Sequence, residues 1–245
     1  MTRGEPAIEV FTDAPALATR VGARLLERLA SVQTTGRVPC IVLTGGSIAD
    51  ELHRELVRLT PTSDVDWSRI DIWWGDERFV PADSSDRNAR QAAEALLDHV
   101  DVDPDRVHEM PSSEGGGDLT QAAAAYAAEV RAHGAGAFDV VMLGVGPDGH
   151  VASLFPGLPA LDVHDDIAVG VRDSPKPPPE RISLTFAALN RTRATWFLVT
   201  GAEKADAVAR AHGGADVHEV PATGAHGSEE TVWFLDEAAA ARLPT

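Results

Sequence analysis

Short apolar runs alternate with amphipathic segments along most of this chain, and that alternation restricts the fold more than any other feature. Residues 14–31 carry Leu17, Val21, Leu25 and Leu29 at four-residue spacing, the pattern of one buried helix face. The run 38–43 predicts a buried strand, and 48–59, with Leu52, Leu56 and Leu59, a helix. Residues 70–74 predict a second strand and roughly 86–99 a helix. Asp118 and Gln121 are spaced as in a capping box, opening an alanine-rich helix that runs to about His133. Further strands are expected at 138–143, 194–199 and 231–235, with a helix near 202–211. Strands alternating with helices predict an α/β fold, a mainly parallel β-sheet flanked by helices on both faces. The 245 residues suit a single domain over 1–245. Two segments break the rhythm. Residues 174–179, Ser-Pro-Lys-Pro-Pro-Pro, must be extended and read as a surface loop, and 213–230 reads as a long loop or a mobile flap.

Charge limits the partners. Lys and Arg total 21 against 38 Asp and Glu, a net charge of −17. Such a field disfavours nucleic acid and anionic membranes as partners. An anionic ligand would need a local cluster of cations, and the two lysines, Lys176 and Lys204, are each worth locating. Cys40 is the single cysteine, so neither an internal disulfide nor a thiolate zinc cluster is expected, and its apolar surroundings predict a buried core residue. The start, Met1-Thr2-Arg3-Gly4-Glu5-Pro6, lacks the apolar stretch of a leader, and no run approaches a membrane span. A cytoplasmic protein, acting as a monomer, is the expectation.

In open parallel sheets, ligands bind beyond the carboxyl ends of the strands, so the loops that follow strands carry the functional signal. Thr44-Gly45-Gly46-Ser47 leads into a helix, where backbone N–H groups form an anion site; a plain tight turn capped by Ser47 is the alternative. The same peptide approximates a G-x-S-x-G nucleophile elbow, but too little chain precedes it for that fold. Gly144-x-Gly146-x-x-Gly149 matches the dinucleotide fingerprint as a pattern only. Two prolines, Pro156 and Pro159, interrupt the helix it requires, and Asp148 would face the pyrophosphate. No nicotinamide or flavin is expected. Asp148-Gly149-His150 places a carboxylate two residues from an imidazole on a loop, a pairing suited to acid–base work near neutrality. The other histidines show no metal-ligand spacing. Asp76-Glu77-Arg78 follows the strand ending in Trp73-Trp74, and Arg78 there can donate to an oxyanion or phosphate; a solvated turn is the alternative. Lys204 sits in the first turn of its helix, where a shared phosphate would offset its clash with the helix dipole.

These loops together resemble the 6-phosphogluconolactonases. The resemblance rests on Gly144-Val145-Gly146-Pro147-Asp148-Gly149-His150-Val151-Ala152-Ser153-Leu154-Phe155-Pro156. Leu43-Thr44-Gly45-Gly46-Ser47, Trp74-Gly75-Asp76-Glu77-Arg78 with Ser85-x-x-Asn88, Pro177-Pro178-Pro179-x-Arg181-Ile182-Ser183-Leu184-Thr185, and Gly201-x-x-Lys204 accompany it in order. The resemblance spans about residues 8 to 235. It implies hydrolysis of 6-phospho-D-glucono-1,5-lactone in the oxidative pentose phosphate pathway. It also implies a Rossmann-like fold of the sugar-phosphate isomerase/deaminase type, with no organic cofactor and no required metal. Carried over by motif, His150 is the general base, Asp148 its orienting partner, and Arg78 the oxyanion donor with Asp76 beside it. Gly45, Gly46, Ser47, Arg181 and Lys204 hold the phosphate. Two rival readings are a sugar-phosphate deaminase or isomerase on the same fold, and a non-enzymatic sugar-phosphate-binding effector module. The second should carry a basic DNA-binding segment, which the sequence does not show.

Overall fold

A computed structural model describes residues 6–115, 117–134 and 136–244 of the chain. The opening residues 1–5, read above for a leader, lie outside the described residues. In chain order the elements are β1 (Ala7–Phe11), α1 (Ala14–Thr34), β2 (Cys40–Leu43), α2 (Ser47–Leu59), β3 (Asp71–Trp74), β4 (Asp76–Arg78), α3 (Asn88–Ala95) and α4 (Leu119–His133). Then come β5 (Phe138–Gly144), β6 (Ala168–Val171), β7 (Arg181–Leu184), α5 (Phe186–Leu189), β8 (Thr192–Val199), α6 (Ala205–His212), β9 (Glu230–Asp236) and α7 (Glu237–Ala240). Six strands form a parallel sheet in the order β1-β9-β8-β5-β2-β3. β4, β7 and β6 make a small antiparallel sheet beside it.

Side-chain alternation along β2 explains why both faces of the large sheet need cover. Ile41 and Leu43 enter a core with Leu17, Val21, Leu25 and Leu29 of α1 and with Leu52 and Leu56 of α2. Cys40 and Val42 enter the opposite core, with Leu119, Ala122 and Tyr126 of α4. The predicted helix face of α1 and the buried cysteine are therefore both present. α4 opens with the predicted capping box, Asp118 accepting from the Gln121 N–H while the Gln121 side chain accepts from that of Asp118. Tyr126 joins α4 to edge strand β3, its hydroxyl donating to the Trp74 carbonyl and accepting from the Trp74 N–H, each at 3.0 Å.

Several boundaries differ from expectation. The helix expected over 86–99 is shorter, because Leu96 leaves helical geometry at φ −138° and a 3-10 turn, Leu97–His99, follows. That break lets consecutive Leu96 and Leu97 both turn inward. The helix expected near 202–211 begins with a 3-10 turn, Ala202–Lys204, ahead of α6. Strands β1, β4, β6 and β7 were not expected. Residues 213–230 are irregular apart from one 3-10 turn, Pro221–Gly224, yet Val220 and Ala222 are buried, and the Ala222 N–H donates to the Gly149 carbonyl at 2.9 Å. The middle of this loop is thus packed beneath the histidine peptide.

One buried group makes the fold acid-sensitive. His53 on α2 is 3% exposed, and its Nδ1 has no hydrogen-bond partner. Burial pushes its pKa down to about 4, with Arg54 adding to the shift and Asp50 opposing it. The unfolded chain takes up this proton near pH 6.5 and the folded chain does not, so stability falls as pH drops from about 6.5 towards 4. Urea unfolding at about pH 7 and about pH 4.5 should show wild type losing on the order of 2–3 kcal/mol more than His53→Leu on acidification. Equal losses in the two proteins would mean that His53 titrates freely within the fold.

Candidate active site

The chain runs outward in opposite directions from β2 and β5, which lie side by side, so their carboxyl ends open a crevice. The peptides following these two strands form its floor. They are tied together by the Gly144 N–H donating to Thr44 Oγ1 at 3.2 Å. A cavity of about 250 Å³ lies here, lined among others by Gly45, Gly46, Ser47, Asp76, Arg78, His150, Arg181 and Lys204. Eight of the nine residues singled out in the sequence thus share one cavity, and the ninth, Asp148, touches it through His150. A larger cavity of about 530 Å³, between α4 and β6, is half lined by alanine and valine and has no histidine. Chemistry, not size, locates the site.

His150 is fixed on one side and available on the other. Its Nδ1 lies 2.5 Å from Asp148 Oδ1, while its own carbonyl accepts from the Gly146 N–H at 2.9 Å. A hydrogen on Nδ1 directed at Asp148 leaves the Nε2 lone pair free. Burial raises the Asp148 carboxyl, but the hydrogen bond and charge of His150 outweigh it and hold the group below the usual carboxylate range. The Phe155 ring packs on the imidazole with centroids 4.4 Å apart, and the Arg181 guanidinium lies 5.9 Å from the centroid of that same ring.

Asp76 binds three segments together. Its Oδ2 accepts from Ser153 Oγ at 2.7 Å and stands 3.9 Å from Arg181 Nη1, while its carbonyl accepts from Asn88 Nδ2 at 2.9 Å. Arg78 donates from Nη1 to Asn88 Oδ1 and to the Asp86 carbonyl, both at 2.6 Å, and its Nε is buried without a partner. Lys204 donates from Nζ to the Thr200 carbonyl at 2.8 Å.

Two further cavity residues, Asn88 and Lys176, were given no role by the sequence reading. Asn88 appeared there only as a motif position; its amide is packed so closely on Gly45 that any side chain at 45 would overlap it. Lys176 was located on a surface loop, and the loop is indeed exposed, but it turns Lys176 onto the cavity. Arg181 holds that turn, donating to the carbonyls of Pro178 and Lys176 at 3.2 Å and of Pro177 at 3.3 Å. Burial lowers the Lys176 pKa first, and Arg181, Lys204 and Arg78 push it the same way against the pull of Asp148. The scarcity of lysine was the signal that could have found it. Among the described residues, no three His, Cys, Asp or Glu side chains gather as a metal site would require. Nor is any helix among them long and apolar enough to cross a membrane.

A parallel α/β sheet with a histidine–aspartate pair facing clustered cations defines a class of proteins that handle small anionic ligands. Within that class, residues 12–233 match the family described as glucosamine-6-phosphate isomerases/6-phosphogluconolactonase, and the chain belongs to this family. It is 46% identical to the 6-phosphogluconolactonase of Mycobacterium leprae (strain TN), over 97% of this chain and 98% of that one. It is also 46% identical to the 6-phosphogluconolactonase of Streptomyces coelicolor, over 98% and 95%. The crystal structure of 6-phosphogluconolactonase from Thermotoga maritima superposes with a TM-score of 0.83 at 28% identity, covering 95% of this chain and all of that one. A monomeric glucosamine-6-phosphate deaminase reaches the same TM-score at 19% identity, a likeness of fold alone.

Proposed function

We propose that this chain is a carboxylic ester hydrolase that opens 6-phospho-D-glucono-1,5-lactone to 6-phospho-D-gluconate in the pentose phosphate pathway. The observation that carries the reading is the pairing of His150 with Asp148 at the edge of a cavity whose other walls bring Lys176, Arg181, Lys204 and Arg78 together. Near-full-length identity to lactonases supports the same substrate. The proposal has residues 1–245 acting as one unit, a cytoplasmic monomer needing neither organic cofactor nor metal.

The phosphate is placed against Lys176, Lys204 and the backbone amides of Gly45, Gly46 and Ser47 at the start of α2, where aligned N–H groups favour an anion. Arg181 contributes by clamping the loop that presents Lys176 as well as by its own charge. At the other end, His150 Nε2 takes a proton from water, and the hydroxide formed attacks the C1 carbonyl. Arg78 stabilises the oxyanion as the C–O double bond opens. The intermediate collapses, the bond from C1 to the ring oxygen breaks, and the proton on His150 passes to that oxygen. Asp148 keeps the imidazole oriented and stabilises its cationic form. A lactone is an activated ester, so one base and one oxyanion donor suffice without a covalent intermediate.

Freshly prepared lactone, coupled to 6-phosphogluconate dehydrogenase and corrected for spontaneous hydrolysis, provides the assay. His150→Ala should lower kcat by roughly 10²–10⁴ with the fold intact; near-wild-type kcat would remove the histidine from the mechanism. Lys176→Ala and Lys204→Ala should mainly raise KM, because a phosphate contact far from the scissile bond acts alike on ground and transition states. Unphosphorylated gluconolactone should be a poor substrate and indifferent to both changes. Equal loss on the two substrates would exclude a phosphate role.

The rival deaminase reading meets Phe155. In the deaminases this chain resembles, a glutamate stands five residues after the histidine and pairs with it during ring opening. Here a buried phenylalanine lies against the imidazole, and it can neither accept a proton nor orient a ring by hydrogen bonding. Glucosamine 6-phosphate should therefore yield no ammonia under conditions of rapid lactone hydrolysis. Efficient deamination with negligible lactonase activity would transfer the assignment to the rival.

A further inference from the structure

Glu77 stands between two cavity-lining residues, Asp76 and Arg78, yet its own side chain is 1% exposed and lines no part of the cavity. Its Oε1 accepts from the backbone N–H of Arg78 at 2.8 Å and of Asn88 at 2.7 Å, and its Oε2 from that of Ala89 at 2.8 Å. Asn88 and Ala89 open α3, whose preceding residue, Arg87, supplies no side-chain cap. Glu77 therefore caps this helix from a neighbouring strand, satisfying donors that would otherwise be orphaned, with its charge at the favourable end of the helix dipole. Burial raises its pKa, against the three amides and Arg87, whose Nη2 lies 3.9 Å away. The capped helix end leads directly to the site. The Asn88 carboxamide accepts from Arg78 Nη1 and donates to the Asp76 carbonyl, so the place of the guanidinium is set by where α3 begins.

We propose that Glu77 is a positioning residue for the lactonase reaction, fixing Asn88 and, through it, the Arg78 guanidinium where the oxyanion develops. This rests on the reading of Arg78 as oxyanion donor. Glu77 touches neither substrate nor reacting atoms, and the phosphate is held by other cations. Its loss is accordingly felt in kcat more than in KM, because a small misplacement of a donor is costly only in the transition state.

A double-mutant cycle tests this. In Glu77→Gln the carboxamide oxygen can still accept from Arg78 and Asn88, but its NH2 then meets the Ala89 N–H donor to donor. Per mole of folded enzyme, judged by circular dichroism, kcat should fall about 10- to 100-fold with KM within about threefold. In an Arg78→Ala background the same substitution should change kcat by less than about twofold, since the donor it positions is gone. Equal losses in both backgrounds would overturn the proposal, as would wild-type kcat in Glu77→Gln alone while Arg78→Ala is impaired. Wild-type kcat in Arg78→Ala would instead sink the reading of Arg78, and this proposal with it. If Glu77→Gln does not fold, Asn88→Ser keeps the capped backbone N–H and removes the carboxamide, with its bonds to Arg78 Nη1 and to the Asp76 carbonyl. It should show the same kcat loss and the same silence beside Arg78→Ala, and an additive loss would again overturn the proposal.

Discussion

Strands β2 and β5 are buried on both faces, so the first polar groups after each can emerge only at the sheet's carboxyl edge. Because the two strands are neighbours and the chain leaves them in opposite directions, their loops face one another across a crevice. The positions of Gly45, Gly46 and Ser47 on one side and of His150 on the other follow from that geometry. The small antiparallel sheet then adds a third wall, with Asp76 and Arg78 on β4 and Arg181 on its partner β7, where Arg78 and Arg181 are paired in register. Apolar burial thus places polar chemistry it does not itself touch.

Overall charge and local charge have opposite signs at this site. The chain carries a net charge of −17, and the field of so acidic a surface opposes the approach of a dianion. Inside the crevice cations gather, and the Lys176 pKa is lowered by burial and by Arg181, Lys204 and Arg78 against the pull of Asp148. In the function proposed above, a phosphate placed among these cations relieves their mutual repulsion. Backbone carbonyls hold the cluster open meanwhile. Arg181 donates to the loop of Lys176, and Lys204 donates to the Thr200 carbonyl while standing 3.5 Å from Glu203 Oε1.

What the sequence revealed and what it hid divide along physical lines. The central strands were legible because each is a run of apolar residues bounded by polar ones, and α1 and α4 because spacing and capping are local signals. β4, β6 and β7 were hidden because each is only three or four residues long and is defined by a partner far along the chain; Asp76 pairs with Ser183. The histidine loop was legible through its motif. Asn88 gained meaning only when α3 brought its amide onto Gly45 and Arg78. Lys176 was obscured by its prolines, which announce an extended exposed loop but say nothing of which way one side chain within it faces.

The glycines of 144–149 show how one spacing can arise from two causes. Gly146 has no room for a side chain, since one would occupy the space of the His150 ring and the Asp148 carboxylate. Gly149 has φ +84°, and its Cα is closed in by buried Val220, whose neighbour Ala222 donates to the Gly149 carbonyl. Gly146 and Gly149 are thus each required by the way the chain turns to present an imidazole, whereas a Cβ at Gly144 would meet only ordinary contacts, and no helix follows the last of them. The resemblance to a dinucleotide fingerprint is a by-product of packing a histidine tightly against its own loop. The buttress beneath that loop comes from residues 213–230, the part of the sequence with the least regular pattern. An unpatterned segment can therefore be what keeps the histidine peptide in place, provided a few apolar residues such as Val220 and Ala222 find the core.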